Sequence, residues 1–142
     1  MVCLGNICRS PLAEGILRKY LPESKFIIDS AATASYHPGN PPDFRSIEVA
    51  YKNGVNIKNI RSRQFTLADF KTFDHIFVMD KKNLRDILFL SNNNKSSIKV
   101  KLLIDNEEVP DPYYGGSEGF ADCFKLIDIA CEKIANDFLE NE

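Results

Sequence analysis

Cys3 and Arg9 stand six positions apart across Leu4-Gly5-Asn6-Ile7-Cys8, and Ser10-Pro11 follow at once. Gly5 and Asn6 are the residue types that most readily accept positive φ, so the backbone between the cysteine and the arginine can curl until successive N–H groups point at one spot. Ser10 is a good helix N-cap and Pro11 a good first helical residue, which predicts a helix whose positive end adds to the same focus. Inward-pointing amides with a guanidinium above them bind an oxyanion, with Leu4, Gly5, Asn6, Ile7, Cys8 and Ser10 forming the cradle and Arg9 closing a planar fork over it. Such donors also stabilise a thiolate, since helix N-termini and cationic neighbours bring cysteines down to roughly 3.5–7.5 from about 8.5. A sulfur held as an anion beside a bound phosphate predicts phosphoryl transfer to Cys3.

The run Val2-Cys3-Leu4-Gly5-Asn6-Ile7-Cys8-Arg9-Ser10-Pro11-Leu12-Ala13-Glu14 resembles the signature of the low-molecular-weight protein tyrosine phosphatases, and Asp111-Pro112-Tyr113-Tyr114-Gly115-Gly116 resembles their general-acid loop. Between them Asp29-Ser30-Ala31-Ala32-Thr33, Gly39-Asn40-Pro41-Pro42-Asp43, Phe73-Asp74, Val78-Met79-Asp80 and Asn83-Leu84-Arg85-Asp86 are similar to family segments in the same order. The resemblance covers nearly the whole chain. It implies a phosphocysteine intermediate on Cys3, phosphate binding by Arg9, and Asp111 as the acid that protonates the leaving phenolate and then the base that activates water. It further implies that Asn6 and Ser30 support the loop, that Asp80 orients the arginine, and that Cys8 can form a reversible disulfide with Cys3. Tyr113 and Tyr114 correspond to tyrosines that line the pocket mouth and serve as targets of a tyrosine kinase. One departure stands out: Ile60 falls where a histidine usually completes the loop support, with Asn59 as a substitute if the register shifts by one. His37 and His75 do not match that position and are read as non-catalytic.

Leu4, Ile7, Tyr36 and Tyr114 give the pocket apolar and aromatic walls, suited to a flat aryl phosphate; phosphotyrosine is the expected substrate. Three rival readings remain open. An arginine phosphatase on the same fold carries a smaller polar threonine where this chain has Ile7. A thioredoxin-coupled arsenate reductase needs two further relay cysteines in the middle of the chain, and none occurs between Cys8 and Cys123. A silent phosphate-binding module has no use for Cys3, Arg9 and Asp111 together.

The elements that must position these groups follow from patterning. At 142 residues, one domain spanning 1–142 is expected. Pro11 to Leu21 reads as a helix with Leu12, Ile16, Leu17 and Tyr20 inward and Glu14, Arg18 and Lys19 outward. Phe26-Ile27-Ile28 reads as a buried parallel strand, followed by a loop from Ala31 to Pro42 that overhangs Cys3. Asp43 to Asn53 is a helix closed by Gly54, 55–64 is irregular, and Thr66 to Phe70 is a helical turn. Asp74 to Met79 is a strand, Asp80 caps a helix running to about Leu90, Ser91 to Ser96 is a solvent loop, and Ile98 to Leu103 is the last strand. Ser117 to Glu140 is a long helix with Phe120, Phe124, Ile127, Cys131, Ile134 and Phe138 at helical spacing; Cys123 and Cys131 are spectators in it. The alternation predicts an α/β, three-layer doubly wound sandwich around a four-stranded parallel sheet, with the anion-binding loop after the first strand. That strand is only Met1-Val2, shorter than the family's, so residues either precede Met1 or the strand is unusually short.

Eighteen basic residues against twenty acidic ones give a net charge of −2 with no basic block, which argues against nucleic acid and anionic membranes. Apolar runs are far below the eighteen or so residues of a membrane span, and no secretory signal is present. Four irregularly spaced cysteines and two histidines argue against a disulfide scaffold, a metal site and a cofactor. The chain reads as a cytoplasmic monomer or weak dimer acting on phosphotyrosine proteins.

Overall fold

A computed structural model describes residues 1–92 and 95–141. The elements in chain order are β1 (Val2–Cys3), α1 (Arg9–Tyr20), β2 (Ala31–Ala32), α2 (Phe44–Lys52), α3 (Asp69–Thr72), β3 (Ile76–Val78), α4 (Lys81–Ser91), β4 (Val100–Leu102) and α5 (Ser117–Glu140). The four strands pair in the order β2-β1-β3-β4, all parallel. Side chains alternate across a strand, and the sheet divides the core accordingly. Cys3, Phe77, Met79 and Leu103 face α1, α2 and α5, while Val2, Ala31, Ile76, Val78 and Val100 face the layer holding Phe65, Phe70 and Ile87. This is the expected helix–sheet–helix sandwich. Gly15 lets α1 approach the segment under it: a Cβ there would lie 2.4 Å from Ile57 Cγ2.

Several boundaries differ from those patterning suggests. Phe26–Ile28 is not a strand, and Ile27 is 82% exposed; β2 is Ala31–Ala32 instead. The register explains this. Val2 stands opposite Ala31, and the Met1 amino group donates to Asp29 O at 3.0 Å, so the pairing of β1 with this part of the chain falls on Ala31–Ala32, beyond Ile28. The β1 strand ends on Cys3 rather than Val2. The expected turn at Thr66 to Phe70 begins with the Asp69 N–H bonded to Thr66 O and becomes α3, which starts three residues and ends two residues later than expected. The strand read over Asp74 to Met79 shortens to β3, and that read over Ile98 to Leu103 to β4, preceded by a 3-10 turn over Lys95–Lys99 that leaves Ile98 exposed. Ser91 belongs to α4, which closes on Asn92 with φ 52°; Asn93 and Asn94 of the expected solvent loop lie outside the described residues. α2, capped by Asp43, and α5 lie where they were expected, and Gly54 takes φ 78°.

Candidate active site

The loop after β1 is closed by long-range bonds. Thr33 N–H donates to Cys3 O, Ala34 N–H to Leu4 O and Asp43 N–H to Ile7 O, which draws the chain after β2 and the start of α2 around residues 3–8. Helix α1 begins at Arg9, with Cys8 at its cap and no side-chain cap bond. Ser10 is therefore a residue of the first turn and not the N-cap, which frees its hydroxyl for the site. Positive φ is needed at Asn6 alone, at 55°. Gly5 serves another end: a Cβ on it would approach the His37 ring to 3.2 Å.

Asn6 fixes the direction of the hydrogen bonds. Its Oδ1 accepts from Arg63 N–H at 3.1 Å, so its Nδ2 must be the end that donates to Ser10 Oγ at 2.7 Å and Ser30 Oγ at 2.9 Å. Ser30 then passes its own proton to Glu14 Oε1 at 2.6 Å. Ser10, accepting from Asn6, keeps its O–H free to donate to Cys3 Sγ, 3.1 Å away, when the sulfur is an anion and can only accept, and Asn6 N–H lies 3.3 Å from the same sulfur. Two donors thus serve a Cys3 anion. Ser30 is in the supporting place the sequence implied. Glu14 is not: its side chain is turned inward and the residue is only 5% exposed, against the expectation of an outer face, because Ser30 and Arg18 both donate to it.

Arg9 is buried and held at one end. Nη1 donates to Asp80 Oδ2 and to Val109 O, both at 2.8 Å, while Nη2 is 3.5 Å from Asp111 Oδ2. Burial works against the guanidinium charge, but the Cys3 sulfur, Asp80 and Asp111 offset it and hold its pKa above the ordinary value. Asp80 is placed for this by capping α4 through Asn83 N–H at 2.8 Å. Asp111, its side chain 38% exposed, takes Tyr113 N–H at 3.1 Å in a tight turn before the tyrosines.

Cys3, Leu4, Gly5, Ile7, Cys8, Arg9, Asp111, Tyr36, Tyr113 and Tyr114 line one cleft of about 90 Å³. Every nucleophile, phosphate-binding, acid and wall residue named from the sequence meets there except Asn6 and Ser10, which stand behind the sulfur. His37 joins the wall between Tyr36 and Tyr113, a place its sequence neighbourhood did not signal. His75 stacks on Phe77 and Phe138, away from the cleft. Cys8 is reduced, and burial first, then Asp43 and Cys3, push its thiol well above the usual range. Burial likewise pushes Cys123 and Cys131 up to about 12. Ile60 is half-buried against the core, and the Asn6 amide is filled without it; Asn59 is exposed and does not replace the histidine.

In the sequence Arg45 is no more than one residue of the helix expected over Asp43 to Asn53. It forks onto Asp43 through Nε and Nη2, both at 3.0 Å, and donates to Tyr113 O at 2.8 Å and Gly115 O at 2.9 Å. No local spacing announces that link. Among the described residues, no helix is long and apolar enough to cross a membrane.

Comparison with known proteins agrees with this geometry over the full length. A sequence model described as low molecular weight phosphotyrosine protein phosphatase matches residues 1–142. A protein of that description from Schizosaccharomyces pombe is 45% identical over 141 residues, covering 91% of this chain and 89% of the relative. The crystal structure of a protein tyrosine phosphatase from Entamoeba histolytica superposes with a TM-score of 0.89 at 38% identity, covering 99% of this chain and 95% of that one. Wzb from Vibrio vulnificus, solved in complex with benzylphosphonate, gives a TM-score of 0.89 at 34% identity, with coverage of 96% and 94%.

Proposed function

The chain belongs to the low molecular weight phosphotyrosine protein phosphatase family and is a protein-tyrosine-phosphatase, and we propose from that premise the roles its own residues take in the reaction. Cys3 is the nucleophile. The observation that carries this is what surrounds its sulfur: the Asn6 N–H points at Sγ from 3.3 Å, the Ser10 hydroxyl lies 3.1 Å away and donates to the sulfur when that is an anion, and Arg9 lines the same cleft with Nη2 toward Asp111.

The anionic sulfur attacks phosphorus while Arg9 and the loop amides carry the negative charge of the phosphoryl oxygens. The P–O bond to the aryl group breaks, and Asp111 gives its proton to the departing phenolate. In the second half a water attacks the phosphocysteine, Asp111 takes its proton, the S–P bond breaks, and phosphate leaves with Cys3 restored as the anion. Leu4, Ile7, Tyr36, Tyr113 and Tyr114 supply the apolar walls for an aromatic ring. The benzylphosphonate complex of the Vibrio neighbour is in keeping with that choice of ligand. Cys8, on the same wall, can close a disulfide with Cys3 once a peroxide has converted the nucleophile to its sulfenic acid, with water leaving as the S–S bond forms.

We place the protein in the cytoplasm as a single catalytic domain acting on phosphotyrosine proteins, with Tyr113 or Tyr114 open to a tyrosine kinase and self-association weak or absent. A panel of phosphotyrosine, phosphoserine and phosphoarginine peptides, with arsenate beside it and a chelator present, tests the reading. Selective release of phosphate from phosphotyrosine is expected. Faster release from phosphoarginine, or arsenate reduction with no phosphatase activity, would overturn it.

A further inference from the structure

The two loops that carry the reaction come from opposite ends of the chain, and α2 is the element joined to both. Asp43 N–H donates to Ile7 O at 2.7 Å and Ser46 Oγ to Cys8 O at 3.3 Å, which ties the start of α2 to the phosphate cradle. From the same turn Arg45 reaches the other way. Its Nε and Nη2 hold the Asp43 carboxylate, Nη1 holds Gly115 O, and Nη2 also holds Tyr113 O. Its guanidinium carbon lies 4.4 Å from the centre of the Phe120 ring and 5.7 Å from that of Tyr113. Four donated bonds and two ring faces use nearly the whole capacity of a planar guanidinium, which a lysine cannot reproduce.

This grip bears on Asp111 through a short lever. Tyr113, whose carbonyl Arg45 holds, donates its N–H to Asp111 Oδ1. Asp111 itself is part-exposed and meets the site only through a 3.5 Å approach to Arg9, too long for a firm hydrogen bond. We propose that Arg45 is the positioning residue of the acid loop: by fixing Tyr113 and Gly115 against the cap of α2 it sets the distance from the Asp111 proton to a leaving group lying over Cys3. The inference rests on the assignment of Asp111 as the acid. Arg45 touches no reacting atom, so it acts on proton transfer and not on nucleophilic attack. Misplacing a catalytic group by about 1 Å can lower a rate by roughly 10²-fold.

The test uses a series of aryl phosphates whose phenols range from strongly to weakly acidic, with kcat and KM measured for the wild-type protein, Arg45→Ala, Arg45→Lys, Asp111→Asn and the Arg45→Ala/Asp111→Asn double variant. Arg45→Ala should lower kcat for the least acidic phenols by roughly tenfold or more, leave strongly acidic phenols nearly unchanged, and move KM little. Arg45→Lys, which keeps the charge, should fall between and carries the test if Arg45→Ala folds poorly. In the Asp111→Asn background the loss of Arg45 should add nothing further. A loss from Arg45→Ala that is the same for every leaving group, or that persists undiminished without Asp111, would overturn the proposal. If Asp111→Asn itself leaves the leaving-group dependence unchanged, the assignment of Asp111 is wrong and the role of Arg45 falls with it. If Asp111→Asn steepens that dependence and neither Arg45 variant does, only the role of Arg45 is refuted.

Discussion

Asn6 Nδ2 lies 2.7 Å from Ser10 Oγ, and because Asn6 Oδ1 is already occupied by the Arg63 N–H, this contact can run in one direction only. Ser10 accepts there, which leaves its single proton free for the Cys3 sulfur, 3.1 Å away, when that is an anion. A side chain three residues beyond Cys3 thereby leaves the hydroxyl behind the sulfur free to donate to it.

Removing that amide should therefore affect both stability and rate. Asn6→Gly keeps the left-handed backbone, loses three side-chain bonds, and should destabilise by about 1–3 kcal/mol in denaturant unfolding. Asn6→Ala adds the steric penalty of positive φ and should lie about 1–2 kcal/mol lower still. Both should lower kcat more than they raise KM.

Asp111→Asn should reduce kcat by roughly 10²–10⁴-fold, with the deficit largest for phenols that leave reluctantly. Steady-state rates on matched aryl phosphates check this. A uniform small loss would assign Asp111 to binding.

The four cysteines differ in a way that labelling can read. Burial raises the thiols of Cys8, Cys123 and Cys131, the latter two to about 12, so all three stay protonated at neutral pH. Cys3, which lines the cleft beside Cys8, differs in having the Asn6 N–H and the Ser10 hydroxyl at its sulfur. Iodoacetate near pH 7 should carboxymethylate Cys3 alone, phosphate should protect it, and Cys3→Ser should take up no label, as counted by intact mass. Equal labelling of two or more cysteines in the folded protein would contradict this.

Acid should loosen the links that hold the acid loop and the chain after β2. The Arg45 fork holds the Asp43 carboxyl below its usual value of 3.8. Burial works to raise Asp69, but the Arg63 pair and the Thr66 N–H prevail and hold it below 3.8 as well. A carboxylate depressed in the folded state contributes stability that is present above the unfolded value and is lost as pH falls through the folded one. Unfolding free energy should thus be level with respect to these two groups above about pH 5 and fall below about pH 4. Arg45→Ala should shallow that fall, and an unchanged slope in the variant would rule out the Asp43 contribution.

What could be read in advance was whatever local spacing encodes. Cys3 to Arg9 and Asp80 at a helix cap each announce themselves within a few residues, whereas Asp111 before a proline reads as a turn aspartate until it is taken together with the first motif. The supports that distance brings together do not announce themselves. Glu14 follows helical periodicity onto the outer face, and the approach of Ser30, together with Arg18, explains its burial. Arg45 looks like any basic residue of an amphipathic helix until the acid loop folds back over it. Phe26-Ile27-Ile28 has the composition of a strand, but a strand exists only with a partner, and the register of β1 gives that partner to Ala31–Ala32. Ser10 and Pro11 signalled a helix start correctly to within two residues. The cap itself falls on Cys8, and Ser10, in the first turn, lies 3.1 Å from the Cys3 sulfur.

The central claim is that the phosphoryl group passes through sulfur, and an acid quench of the Asp111→Ala variant during turnover of an aryl phosphate tests it most directly. Slowed hydrolysis of the intermediate should leave one phosphate covalently bound per chain, mapped by peptide mass spectrometry to Cys3 and missing from a Cys3→Ser/Asp111→Ala control. Phosphate found on another residue, or sustained turnover by Cys3→Ser, would contradict it.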